Sequence, residues 1–412
     1  MSDVHLGAHR ELALRKLEQE AFEAALNRCV QLDVDFVLVC GDLFHVGIPD
    51  LGVVNDALAK MMEVRRAGIP IYAIYGSHDY TPTGTSVIDI LDTAGALANI
   101  SKWKFEDGRL TLDVETDKRT GAKLAGISAR RIGLESKYYE ILDRSALEEL
   151  EGFKIFAFHS GITQFKPARL SEMETLDISL LPKGFDYYAG GHIHQRGEFR
   201  ADRYERIVFP GPLFTGYGRD LENTARGEKR GFYLVEFDDE VRRAEFVPVE
   251  ALRGEFRELS IEGLNAVEAN RRIASAFEGV DVTEKLVAFK VFGELAGGKP
   301  SDLELSALKS RLSKRGALHV YLNRAGVTAR ESRTATSGGE DVASIEKRLF
   351  QQEVGKIRVA DRNLSGLKGA ETAGELLRAL RHGPKANEQK KDYEERMIRD
   401  GAATLKLGED TA

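Results

Sequence analysis

Residues 185–194 read FDYYAGGHIH, an apolar run that ends on two glycines and then delivers two histidines one residue apart. A run of this length bounded by glycine reads as a buried strand. The H-x-H spacing lets two side chains of one extended segment point the same way. The theme recurs up to about residue 240. VDFVLVCGD (34–42), IPIYAIYGSHD (69–79), FKIFAFHSG (153–161) and RIVFPG (206–211) are each a β-rich run followed by a polar loop. Between the first two of these, LALRKLEQEAFEAALNRCV (12–30) and LGVVNDALAKMMEVRRAG (51–68) carry apolar residues at helical spacing, the second stopped by Gly68 and Pro70. Strands alternating with helices, with polar loops after the strands, describe a layered α/β domain.

The loops share a chemistry. In chain order they hold Asp3 and His5, Asp42 and His45, Ser77–His78–Asp79, His159, and His192 with His194. Six of the nine histidines thus sit at or just past the ends of apolar runs, whereas His9, His319 and His382 lack that context. Aspartate and histidine together suit Zn²⁺, Mn²⁺ or Fe²⁺ held for hydrolysis. A lone D-x-H or a lone histidine at a strand end is more often structural. Five such pieces at five strand ends are not independent accidents, and they point to a metal site.

The bulk properties set the class. At 412 residues the chain is too long for one ordinary core. Its 42% hydrophobic and 30% charged residues are those of a globular protein, and no apolar run is long enough to span a bilayer. No apolar leader is visible at the start, and two cysteines, Cys29 and Cys40, make no disulfide framework, so a cytoplasmic setting is expected. The net charge of −7 gives no global support for nucleic-acid binding, although one face of an acidic protein can be basic.

The ordered set D-x-H, G-D, G-x-H-D, H and G-H-x-H resembles the signature of the calcineurin-like metallophosphoesterases. GDLFH (41–45), GFDYYAGGHIH (184–194), FPGPL (209–213) and KRGFYLVEFD (229–238) are similar to the DNA double-strand-break repair nucleases of the Mre-eleven/SbcD type, archaeal members especially. The resemblance implies an α/β fold: a four-layer α/β/β/α sandwich over 1–243, a smaller α/β capping domain over 244–333 that binds DNA, and ATPase-docking helices within 342–382; the residues themselves mark TATSGGED (334–341) as a linker and 383–412 as a polar, poorly ordered tail. It implies two Mn²⁺ ions per subunit. One would sit on Asp3, His5, Asp42 and His194, the other on Asp42, His159, His192 and position 77. His78 would serve the leaving oxygen, Asp79 would orient the His78 ring, and His45 would lie near the scissile phosphate. The implied activity is 3′–5′ exonuclease action on duplex DNA and endonuclease action on single strands. The implied partners are DNA ends, a coiled-coil ABC-type repair ATPase of the Rad-fifty type and a second copy of the chain, paired through helices around 51–66 and 86–95. Arg130, Arg131, Lys137, Lys309, Arg311, Lys314 and Arg315 are the basic residues expected to meet DNA phosphates.

Two departures from the pattern stand out. The family's first strand precedes the D-x-H aspartate, yet only Met1 and Ser2 do so here. The expectation is a start placed too late or a trimmed chain, testable by reading the upstream codons. Ser77 stands where the family has asparagine, which predicts a softer second metal position. Two rival functions follow: another phosphoesterase, acting on nucleotides or phosphoproteins, and a DNA-end-binding scaffold with a degenerate site.

Overall fold

A computed structural model describes residues 1–81, 84–129, 135–167, 170, 173–249, 252–329, 342–354, 364–383, 385 and 390–405. They fall into two compact units, Met1–Ser260 with Arg271–Val291 and Glu304–Ala325, and Ile261–Asn270 with Phe292–Leu303 and Gly326–Ala412.

The first unit is built on two sheets. Val37–Cys40, Ile71–Ile74 and Ala98–Asn99 form a parallel three-stranded sheet, in register from Val37 opposite Ile71 to Cys40 opposite Ile74. The second sheet has six strands in the order Gly197–Ala201, Tyr204–Phe209, Tyr187–Gly191, Lys154–His159, Lys123–Ile127 and Glu115–Thr116. Its inner four strands are parallel and its two outermost pairs antiparallel. Lys154–His159 and Tyr187–Gly191 are buried along their whole length, which is why they read as continuous apolar runs rather than alternating ones.

Three bodies of apolar side chains define the layers. Phe22, Ala25 and Leu26 of helix Leu12–Gln31, Ala57, Met61 and Val64 of Leu51–Arg66, and Ile88 and Leu91 of Val87–Thr93 cover one face of the first sheet. Cys40, Tyr72 and Ile74 face Leu124, Ile155, Ala157, Tyr187 and Val208 between the sheets. Phe156, Phe158, Tyr188 and Phe209 pack outward against Tyr139, Leu142, Leu147 and Phe185. Helices, sheet, sheet, helices: this is the expected α/β/β/α sandwich. Cys29 and Cys40 are free and buried within it.

The first residues extend the ladder of the strand that follows Phe36. The Met1 ammonium donates to the Leu38 carbonyl (2.8 Å), Cys40 N–H to Met1 (2.9 Å), Asp3 N–H to Gly41 (3.0 Å) and His5 N–H to Asp42 (2.9 Å). These bonds lay the D-x-H segment beside the G-D loop, a contact the site depends on.

Further along, Arg253–Ser260, Lys285–Leu295 and His319–Ala329 form a three-stranded sheet, with helices Ala266–Ser275 and Leu305–Lys314 on the same segment. Leu286 and Ala288 of its middle strand pack with Leu14 and Ala21 of the first helix and with Phe214 and Leu221. At the C-terminal end lie helices Val342–Val354, Gly366–Leu380 and Lys390–Leu405. The last of these falls in the segment expected to be a polar tail. Its polar composition hid a short inner edge, where Gly401 approaches Leu376 and Leu380 closely enough for contact. The expected linker at 334–341 lies outside the described residues. No helix among the described residues is long and apolar enough to cross a membrane.

Candidate metal centre

The loops after four strands meet at one edge of the sandwich, and they do so in an unusual backbone conformation. Asp3 (φ 51°), His5 (52°), Asp42 (51°) and His192 (81°) all lie in the left-handed region, although none is glycine. Such residues persist where surrounding structure over-determines them, and they cluster at functional sites. Glycine supplies the close approaches. A Cβ on Gly76 would stand 2.0 Å from Asp42 Oδ1, and one on Gly191 2.1 Å from the Cys40 carbonyl oxygen.

The side chains converge accordingly. Asp42 Oδ2 lies 3.2 Å from His159 Nε2 and 3.7 Å from His5 Nε2. Asp3 Oδ1 lies 3.6 Å from His194 Nε2 and 4.0 Å from His159 Nε2, and the His5 and His194 Nε2 atoms are 3.1 Å apart. Three clusters have ligand atoms within 4.8 Å of one another: Asp3–His5–His194, Asp3–Asp42–His159 and His5–His45–His78. His192 belongs to none of these clusters. Its ring stands 5.3 Å from that of His159, and its backbone N–H donates to Asp3 Oδ1 at 3.0 Å.

Each ring is aimed from behind. His159 Nδ1 donates to the Cys40 carbonyl (2.8 Å), and His194 Nδ1 bonds Asp220 Oδ2 (2.8 Å). Both Nε2 atoms therefore face inward, the arrangement by which outer partners fix the tautomer of a metal-binding histidine. Burial would raise the Asp42 carboxyl. The charge of His159, then His5 and the His78 N–H (2.8 Å), outweigh it and hold Asp42 far below the usual carboxylate range. Burial likewise opposes charge on His159, but Asp42 and then Asp3 push it up to about 10. Burial and the neighbouring His159 take His192 down to about 4. Burial also keeps His5 well below the ordinary imidazole value.

His159 Nε2 is buried and makes no hydrogen bond, although Asp42 Oδ2 lies 3.2 Å away. An orphaned imidazole nitrogen facing a buried carboxylate is what a divalent cation would satisfy. The donor set, carboxylate oxygen and imidazole nitrogen, fits the divalent metal ions that the sequence pattern implies.

The rim of the centre differs from the expected one at Asp79. Ser77 is exposed, with its hydroxyl 3.4 Å from Asp42 Oδ2. Asp79 does not orient His78: its carboxylate is buried and accepts N–H bonds from Gly76 (2.8 Å), Phe44 (3.0 Å) and Leu43 (3.3 Å). Adjacent residues in this tight turn point opposite ways, so Asp79 braces the loop instead. The His45 carbonyl holds His78 Nδ1 at 2.6 Å, and the His45 ring stacks on that of His78 at 5.0 Å. Sequence reasoning missed Tyr217 and Asp220. Tyr217 presents its hydroxyl 2.6 Å from His78 Nε2. Asp220 bonds His194 and also accepts the Gly216 and Tyr217 N–H groups, each at 3.0 Å. An Asp three residues into a turn after FTGY was the available signal.

The expected DNA-binding residues are scattered. Arg130 and Arg131 lie outside the described residues. Lys137 and Lys314 are exposed. Lys309 pairs with Glu11 (3.5 Å), Arg311 donates to the Ala274 carbonyl, and Arg315 donates to the Phe277 carbonyl (2.9 Å). The last three therefore already serve the packing of the segment that carries them.

Residues 1–196 match the family model of the calcineurin-like phosphoesterases. Curated relatives named DNA double-strand break repair protein Mre11 are similar over longer stretches. The Archaeoglobus fulgidus protein is 26% identical over 64% of this chain and 62% of its own length. The Methanopyrus kandleri protein is 26% identical over 75% and 67%, and the Thermoplasma acidophilum protein 25% identical over 72% and 76%. The chain thus spans about three fifths of the length of the first of these relatives.

Proposed function

We propose that this chain, whose N-terminal half is a calcineurin-like phosphoesterase domain, is the metal-dependent DNA nuclease subunit of a double-strand-break repair complex. The observation that carries the reading is the buried Asp42 between His159 and His5, with the orphaned His159 Nε2 facing it and His78 above. Two Mn²⁺ ions suit the donors. Asp3, His5, Asp42 and His194 would hold one; Asp42, His159, His192 and a water on Ser77 would hold the other, more weakly. When bound, the ions supply charge neutralisation and an activated water. The chain's own residues supply the rest. Asp220 and the Cys40 carbonyl keep two histidines aimed inward. His78, with Nδ1 tied to the His45 carbonyl, presents Nε2 as the proton source for the departing alkoxide.

The relatives' names support DNA as the substrate; we read the activity as 3′–5′ exonuclease action on duplexes and endonuclease action on single strands. We read residues 244–333 as a DNA-binding capping domain and helices within 342–382 as the dock for a coiled-coil ABC-type ATPase. Leu51 is 83% exposed and Ile90 55%, which supports pairing of two copies through the helices around 51–66 and 86–95. Two free buried cysteines suit the cytoplasm. The test is manganese-dependent cleavage of linear duplex DNA by wild type and His78→Ala. We expect a loss of about 10²-fold or more in the mutant. Unchanged cleavage would undo the role of His78. Faster turnover of p-nitrophenyl phosphate than of DNA would favour a small-substrate phosphatase, and DNA binding without cleavage a scaffold.

A further inference from the structure

Tyr217 has no place in the strand-end pattern, yet it stands over the middle of the histidine cluster. Its ring lies 5.3 Å from that of His194, 5.6 Å from those of His5 and His45, and 6.0 Å from that of His78. It is 44% exposed, at the mouth of the centre. Its backbone is fixed by Asp220, which accepts the Tyr217 N–H (3.0 Å) and also bonds His194 Nδ1 (2.8 Å). One carboxylate thus sets both the phenol and an inward-facing histidine.

The hydrogen bonds of His78 settle which nitrogen carries the proton. Nδ1 lies 2.6 Å from the His45 carbonyl, which can only accept, so Nδ1 is the protonated nitrogen. In the neutral ring Nε2 is then a bare acceptor, and the Tyr217 hydroxyl, 2.6 Å away, donates to it. In the charged ring Nε2–H donates to the phenol oxygen instead. The same contact serves both states because a phenol both donates and accepts. Among the described residues, this is the hydrogen bond that holds Nε2 at the angle at which it faces an incoming substrate.

We propose that Tyr217 is a positioning residue for phosphodiester cleavage, holding Nε2 of His78 at the mouth of the centre so that its proton is presented to the leaving oxygen. This rests on the nuclease reading above. In the step, a water gives up one proton to solvent and its oxygen bonds to phosphorus, the P–O bond to the leaving alkoxide breaks, and the His78 Nε2 proton passes to the alkoxide. The neutral ring is left hydrogen-bonded to Tyr217, which stays un-ionised throughout.

Tyr217→Phe keeps the ring and removes only the hydroxyl. Two measurements test it. In the metal-free protein, ¹⁵N spectra of the His78 ring should show one Nδ1-protonated tautomer, with Nε2 shifted by hydrogen bonding. In Tyr217→Phe that Nε2 shift should be lost. On DNA with Mn²⁺, kcat should fall about tenfold or more with KM within about twofold. On bis(p-nitrophenyl) phosphate, whose leaving group needs no proton, the fall should be about threefold at most. Equal losses on the two substrates, no loss on either, or an unchanged His78 ¹⁵N shift would overturn the proposal. A wild type inactive on both phosphodiesters would sink the nuclease reading, and the metal-free spectra would still decide the Tyr217–His78 contact.

Discussion

Asp42 and Ser77 stand 3.4 Å apart, yet they belong to two differently built parts of one centre. Asp42 is on the floor with Asp3, His5 and His159: all four are buried, three have left-handed backbones, and each is tied to the backbone of another segment. Ser77 is on the rim with His45, His78 and Tyr217, which are at least partly exposed and are held by a few hydrogen bonds and ring contacts. The floor is where fold and chemistry are the same set of contacts. On the rim they separate. Changes to the floor should therefore cost stability and metal together, whereas rim changes should move metal affinity or turnover and leave the fold alone.

The largest effect should follow Asp42→Ala. Removing this carboxylate strands the charge on His159 in a buried site, a situation that costs about 3–5 kcal/mol. Urea unfolding of the metal-free protein should show that loss, and Mn²⁺ titration should show binding abolished. A loss below about 1 kcal/mol would mean that the floor is not built around this pair.

A second test uses pH. The folded-state His159 is raised to about 10 from an ordinary 6.5, so its contribution is complete below pH 6.5 and is lost as pH rises toward 10. Asp42 is depressed, so its contribution is present above 3.8 and is lost as pH falls below that value. The stability advantage of metal-free wild type over Asp42→Asn should be greatest between pH 3.8 and 6.5 and narrow by pH 10. An advantage independent of pH would separate the two residues energetically.

The smallest effect should come from the rim. Ser77→Asn places an amide oxygen where the hydroxyl is, and should tighten the weaker of two Mn²⁺ ions while changing unfolding free energy by no more than about 0.5 kcal/mol. Equal affinities for both ions in both proteins would remove Ser77 from the metal account.

The same division explains what could be read in the sequence. The sandwich was legible because its strands are buried on both faces and so appear as short apolar runs bounded by glycine. Asp3, His5, Asp42, His159 and His194 were legible because strand-end spacing survives in the linear chain. Tyr217 and Asp220 were not, since they reach the centre from a loop and helix with no histidine motif, through contacts spanning 139 and 26 residues. Asp79 misled for the opposite reason: adjacency to His78 in sequence suggested a dyad, and the turn sends the two side chains apart. The basic run at 309–315 looked like a phosphate-binding stripe, but bonds to Glu11, Ala274 and Phe277 are invisible without the fold. The helix Lys390–Leu405 was hidden by composition, its polar residues outweighing a small contact edge at Gly401.

The most direct test of the metal centre is anomalous diffraction at the manganese edge from crystals soaked in Mn²⁺. Two peaks are expected, both within bonding distance of the Asp42 carboxylate, one shared with Asp3, His5 and His194 and a weaker one with His159 and His192. No peak at Asp42, or manganese bound only elsewhere on the chain, would contradict this assignment.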